Sequence, residues 1–265
     1  MMKPIFDFHR GPLPLLISVP HAGTEVPDEL RHRFTSVGQR LPDTDWHVDR
    51  LYDFARDMGA SILIANYSRY VVDLNRSPDS RALYDAVPTS PVCAAVTFTG
   101  DSIYLADQAP APAEIRERVE SYWRPYHAQI EDELQRMVDQ FGYAVLWDAH
   151  SVASEVPGLF AGVLPEFNLG TRDGAACPRH VGDALLQLLT EDGEFGAVLD
   201  GRFKGGYITE HYGSPAQKIF AVQLELAQRA YLDESAHPDW QPDRAYRAQE
   251  LIAQLLGRLL KLAEA

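Results

Sequence analysis

The chain has 265 residues, 46% hydrophobic and 23% charged, a balance that suits a protein with a sizeable core and excludes disorder as an overall description. Its formal net charge is −14, with 24 Lys and Arg against 38 Asp and Glu, so no nucleic-acid partner is expected. An anionic small substrate meets a repulsive long-range field, which only a local group of Arg and Lys overcomes.

In chain order, the N-terminal stretch lacks the apolar segment of a secretory signal. No stretch approaches the roughly 20 apolar residues that span a bilayer. A cytoplasmic protein with no membrane partner is expected. Leu15 to Val19 reads as a buried strand, Asp49 to Met58 as a helix stopped by Gly59, and Ser61 to Ala65 and Tyr70 to Val72 as two more strands. Ser77 to Pro112 is rich in Pro, Ser, Asp and Ala and has little periodicity, as has Gly158 to Pro178; such loops either cover the surface or shape a site. Between Glu114 and Gln140, Ile115, Val119, Tyr122, Tyr126, Ile130, Leu134 and Met137 form one helical stripe, with Pro125 set to kink it. Tyr143 to Trp147 and Phe220 to Leu224 read as strands, and Arg244 to Leu262 as a closing helix. The alternation predicts a layered α/β fold, and with no repeat and no linker between two cores, a single domain over 1–265. Cys93 and Cys177 stand in unrelated contexts and read as free thiols.

Two apolar strands end in a histidine: His21 after Leu15–Val19, and His150 after Tyr143–Trp147. Ligands collect at the carboxyl ends of strands in open α/β sheets, and neutral imidazole is the commonest zinc ligand. Either histidine alone is more simply a turn residue bonded to backbone; the pair points to a metal. Asp148, two residues before His150, suits either a strand-end turn or the orienting of a ligand. For a third ligand the spacing leaves Asp43, Asp45, Asp49 and Glu25 open, since acids before a helix are also common caps. Glu225 ends an apolar run, which suits either a buried base of raised pKa or a sheet-edge acid paired to Arg. Two basic islands, Arg69 to Arg76 and Arg202 to Lys204, stand out in an acidic chain. HExxH, P-loop, GxGxxG and GxSxG signatures are missing.

Taken together, SVPHAG (18–23), LPDTDWH (41–47), SRYVVDLNR (68–76), LWDAHS (146–151), GRFKGG (201–206), HYG (211–213) and VQLELAQRAYLDE (222–234) resemble the N-formylglutamate amidohydrolases. The likeness runs over nearly the whole chain in the family's order. It implies a three-layer α/β/α fold with a mixed, mostly parallel central sheet, similar to the zinc exopeptidases and aspartoacylases. It further implies one divalent metal, expected to be zinc, on His21 and His150, with Glu225 as general base and Asn75-Arg76 holding a substrate carboxylate. The related exopeptidases take their acidic ligand from His-x-x-Glu, but position 24 here is Thr, so the acid must come from elsewhere and Asp45 is taken for it. The implied activity is hydrolysis of a small dicarboxylate amide, N-formyl-L-glutamate, in histidine degradation. Arg202 with Lys204, or Arg69, would hold the second carboxylate. The alternatives are an N-formimidoyl substrate, another zinc-dependent deacylase or carboxypeptidase, and a non-catalytic carboxylate binder; oligomeric state is left open.

Overall fold

The computed structural model describes residues 3–80, 90–234 and 238–264. Seven strands form one sheet: β1 (Phe6–His9), β2 (Leu15–Val19), β3 (Ser61–Ala65), β4 (Ala144–Val152), β5 (Phe167–Gly170), β6 (Ala197–Leu199) and β7 (Ile219–Ala227). Their spatial order is β1-β3-β2-β4-β7-β5-β6. The central four run parallel, while β1 pairs antiparallel with β3, and β5 pairs antiparallel with β7. The sheet is therefore mixed and mostly parallel.

Alternation along the strands builds three layers. Leu15, Ile17 and Val19 of β2, Val145, Trp147 and Ala149 of β4, and Val222, Leu224 and Leu226 of β7 face one core, under the Arg179–Asp192 and Pro242–Glu264 helices. Leu16, Leu146 and Ala221 face the other, under the Arg124–Phe141 helix with its Tyr126, Ile130, Leu134 and Met137. A parallel strand covered on both faces favours apolar residues on both, which is why β2, with Ser18 as its one polar residue, and the first half of β4, Ala144 to Trp147, read as apolar runs.

The helix expected from Glu114 to Gln140 is present in three parts. Pro112–Arg118 is α-helical, Val119–Trp123 is a π-helical turn, and Arg124–Phe141 resumes the α-helix with Pro125 in its first turn. The helix expected at Asp49–Met58 is instead two short ones, Val48–Leu51 and Phe54–Met58, because Tyr52 between them leaves helical geometry. Gly59 ends the second at φ 90°, a left-handed cap that favours glycine. Tyr70–Val72 is a turn and not a strand. Its residues are apolar because Tyr70 and Val71 fill a small core with Phe34 and Tyr104, while Val72 joins the core under the Arg124–Phe141 helix. Gly158–Pro178, expected as loop, contains β5. Of the Ser77–Pro112 loop, residues 81–89 lie outside the described residues; Ser90, Pro91 and Ala94 to Phe98 line the main cavity. Cys93 and Cys177 are free and buried.

His127 on the Arg124–Phe141 helix is buried, and burial pushes its pKa down to about 3. It is neutral in the folded protein and protonates in the unfolded chain below about pH 6.5. The stabilisation it brings is thus complete above that pH and is lost as pH falls toward about 3. We expect wild type to lose on the order of 2 kcal/mol more than His127→Gln between pH 6.5 and 4.5, in denaturant unfolding at both pH values. Parallel losses in the two proteins would contradict this.

Candidate active site

The site forms at the carboxyl ends of the central strands, where β2, β4 and β7 lie side by side. His21 follows β2 directly, and His150 and Glu225 face each other as register partners in β4 and β7. Asp45 arrives from a loop whose backbone is tied to the first histidine: its amide donates to the His21 carbonyl at 3.1 Å. One ligand atom from each of His21, Asp45 and His150 can be chosen so that all lie within 4.8 Å of one another. All three residues are buried.

The two rings are oriented alike. His21 turns Nδ1 toward Asp45 Oδ2, at 3.8 Å, and its Nε2 toward Asp73 Oδ1, at 2.8 Å. His150 places Nδ1 3.1 Å from the same Asp45 oxygen and Nε2 3.1 Å from Asp148 Oδ1. A metal-binding histidine commonly donates its remote N–H to a carboxylate, leaving the near nitrogen a lone pair. Asp73 and Asp148 stand where such carboxylates would stand. His150 Nε2 has a second neighbour, Asn75 Nδ2, at 2.8 Å. If Nε2 accepts from Asn75, Asp148 Oδ1 stays buried without a hydrogen-bond partner, which is its present state. If Nε2 donates to Asp148, the orphan is satisfied and Nδ1 is left open, and the Asn75 amide must draw back from the ring and keep its bond to Asp148 Oδ2. A cation on Nδ1 demands the second arrangement, so the residues present fit a metal ion.

Charges agree. Burial and the Arg69 guanidinium lower the His21 pKa and keep that ring neutral, as a ligand must be. Burial alone would raise the Asp45 carboxyl, but the His150 hydrogen bond and the His150 and Arg69 charges hold it below the usual carboxylate range. Burial likewise opposes a charged His150, yet Asp148 and Asp45 outweigh it and raise its pKa well above the ordinary value. The cluster thus carries a proton where it could carry a cation, and a cation bound there would displace that proton.

Glu225 is buried, and burial pushes its carboxyl up to about 8, with Asp45 and Asp148 adding to the rise while His150 and Arg69 oppose it. Gln223, two residues earlier on the same face of β7, donates Nε2 to Glu225 Oε2 at 3.3 Å and accepts from the Gly206 amide at 2.7 Å. The alternation of β7 made that shared face legible, but nothing local to Gln223 marks it.

A cavity of about 370 Å³ opens over these groups and is also lined by Arg69, Asn75, Arg76, Arg202 and Gln223. Arg69 is almost wholly buried and committed to the protein, with Nη2 2.7 Å from Asp73 Oδ2 and Nη1 3.7 Å from Asp45 Oδ1. Asn75 is committed as well: Nδ2 donates to Asp148 Oδ2 at 3.1 Å and Oδ1 accepts from the Ile208 amide at 2.8 Å. Arg76 and Arg202 are half-buried at the cavity wall, Arg202 with Nε on the Leu159 carbonyl at 2.9 Å. Lys204 is not brought to the cavity; its ammonium pairs with Asp173 at 2.9 Å. The glycines beside it serve the protein itself, since a Cβ on Gly206 would stand 2.3 Å from Asn75 Nδ2. The other acids weighed as ligands lie elsewhere. Asp43 accepts from the Tyr70 hydroxyl and the Phe98 amide, Glu25 pairs with Lys3, and Asp49 sits exposed in the first turn of the Val48–Leu51 helix.

A three-layer α/β fold with a His-Asp-His cluster beside a buried acid defines a hydrolase with a metal-capable centre. The chain belongs to the N-formylglutamate amidohydrolase family, whose model matches residues 13–232. It is 48% identical to the N-formylglutamate deformylase of Pseudomonas putida over 259 residues, covering 98% of this chain and 97% of the relative. The deformylase of Pseudomonas aeruginosa is 46% identical over the same shares of both chains. Among solved structures, N-formylglutamate amidohydrolase from Ralstonia eutropha superposes with a TM-score of 0.80 at 25% identity, covering 98% of this chain and 97% of that one. No helix among the described residues is long and apolar enough to cross a membrane.

Proposed function

We propose that the chain hydrolyses N-formyl-L-glutamate to L-glutamate and formate, with one divalent cation on His21, Asp45 and His150 and with Glu225 as general base. The observation that carries this is the meeting of the His-Asp-His cluster, the buried acid and two guanidinium groups, Arg76 and Arg202, in one cavity. Two imidazoles and a carboxylate with an open position form a ligand set used by catalytic zinc sites, which is the argument for zinc. The deformylases at 46% and 48% identity support the substrate; a single-domain enzyme working in the cytoplasm, in histidine degradation, is part of the proposal.

When bound, the cation supplies Lewis acidity that polarises the formyl carbonyl and makes water a stronger acid. Glu225 accepts one proton from the attacking water as its oxygen adds to the formyl carbon. As the C–N bond breaks, Glu225 passes that proton to the leaving nitrogen. Burial makes its carboxylate a stronger base than an exposed one, and the positive charge of a cation on the neighbouring cluster would keep it ionised near neutral pH. Asp73 and Asp148 keep the two imidazoles aimed, and Arg69 braces Asp73 against Asp45. Arg76 and Arg202 each take one substrate carboxylate, which is how an acidic protein holds a dianion.

The test is formate release from N-formyl-L-glutamate, its loss on dialysis against a chelator, and its return with added zinc. Preference for N-acetyl, N-formimidoyl or peptide substrates in the same assay would overturn the acyl assignment. For the second carboxylate, Arg202→Met is expected to raise KM by roughly 10- to 100-fold, the worth of a charge-assisted hydrogen bond. Lys204→Met, off the cavity, is expected to stay within about twofold. The reverse order would move the second carboxylate to Lys204.

A further inference from the structure

The segment from Arg69 to Arg76 brings four residues to the cavity region, Arg69, Asp73, Asn75 and Arg76, yet it is neither strand nor helix. It is buried from Arg69 through Asn75. Buried carbonyls outside a ladder need donors from elsewhere. A single continuous helical stretch provides three. Arg118 Nη1 donates to the Val71 carbonyl at 3.1 Å, His127 Nε2 to that of Leu74 at 2.8 Å, and Trp123 Nε1 to that of Arg76 at 3.0 Å. A carbonyl only accepts, so His127 carries its proton on Nε2, and its Nδ1 faces the Tyr212 hydroxyl at 2.9 Å.

The π-helical turn makes this alignment possible. At about 100° per residue, positions 118 and 123 of an α-helix would point roughly 140° apart. The Val119–Trp123 turn, closed by a bond from the Arg124 amide to the Val119 carbonyl, is wider and brings both onto the face that meets the segment. The Trp123 and His127 rings then stack at 3.6 Å, which fixes the two donors relative to each other.

We propose that Trp123 and His127 are positioning residues for the reaction: they hold the Leu74–Arg76 backbone and so set where the Arg76 guanidinium stands in the cavity. This rests on the reading of Arg76 as a group that meets a substrate carboxylate. Neither residue lines the cavity, so they act through the backbone they hold.

The test is steady-state kinetics of metal-loaded enzyme on N-formyl-L-glutamate. Trp123→Phe keeps the stacked ring and deletes the N–H. We expect KM to rise about tenfold, kcat to stay within about twofold, and metal content to match wild type. In an Arg76→Met background the same change is expected to move KM by less than about twofold, because the lost guanidinium no longer needs placing. His127→Phe should behave as Trp123→Phe does, while His127→Gln, which keeps a donor in reach of the Leu74 carbonyl, should hold KM near wild type; this pair serves if Trp123→Phe does not fold. Wild-type KM in both Phe variants would overturn the proposal, as would effects of equal size with and without Arg76. Arg76→Met with wild-type KM would overturn the substrate role of Arg76 and the proposal with it.

Discussion

Glu225→Gln is expected to lower kcat on N-formyl-L-glutamate by about 10³-fold or more, with bound metal unchanged. A positioned general base contributes typically 10²- to 10⁴-fold, and here one carboxylate serves both proton transfers. Gln has the same length and still accepts from Gln223, so the wall of the cavity is preserved. What it loses is basicity. Glu225 is not among the three residues grouped as possible metal ligands, which is why elemental analysis of the variant is expected to match wild type. A variant within tenfold of wild type would assign the base elsewhere. One that loses metal and activity together would make Glu225 a ligand.

Asp45→Asn is expected to weaken metal binding by at least about 100-fold, so that dialysis leaves little metal on the protein. Outer partners of metal-bound histidines already cost 10- to 100-fold in affinity when removed, and a ligand should cost no less. Asp45 has a second task that strengthens the prediction: its Oδ2 accepts from the Ser151 amide at 3.0 Å and stands between both Nδ1 atoms. The neutral amide removes one of the charges that draw a cation in and leaves Arg69 with less to balance it. Asp43→Asn and Asp49→Asn are the comparisons. Metal lost from either of those and kept by Asp45→Asn would reassign the acidic ligand.

Much of this arrangement is legible in the sequence. Apolar runs at 15–19, broken only by Ser18, and at 144–147 call for strands covered on both faces, and a histidine shortly past each places both at one edge of the sheet. What escaped was whatever lacked a periodic signature. Asp73 and Gln223 look like ordinary polar residues in their local strings, and only packing sets one on His21 and the other on Glu225. Tyr70–Val72 has a strand's composition because it fills a small core, a burial that period and propensity do not distinguish from a sheet.

The sequence by itself determined the layered α/β class, through alternation and apolar runs, and it singled out His21, His150 and Glu225, because strand ends are where such a fold exposes side chains. It also fixed the acidic balance against which an anionic substrate would need local guanidinium groups such as Arg76 and Arg202. The family resemblance already pointed to Asp45 among four acids, but only the tertiary structure groups it with the two histidines, through a loop amide that reaches the His21 carbonyl. Only it separated Arg69 and Asn75, tied to the buried Asp73 and Asp148 carboxylates, from Arg76 and Arg202, which bond at the cavity wall to a hydroxyl and to backbone carbonyls. Charge type is written in the residue, but which partner satisfies that charge is decided by what folding brings within about 3 Å.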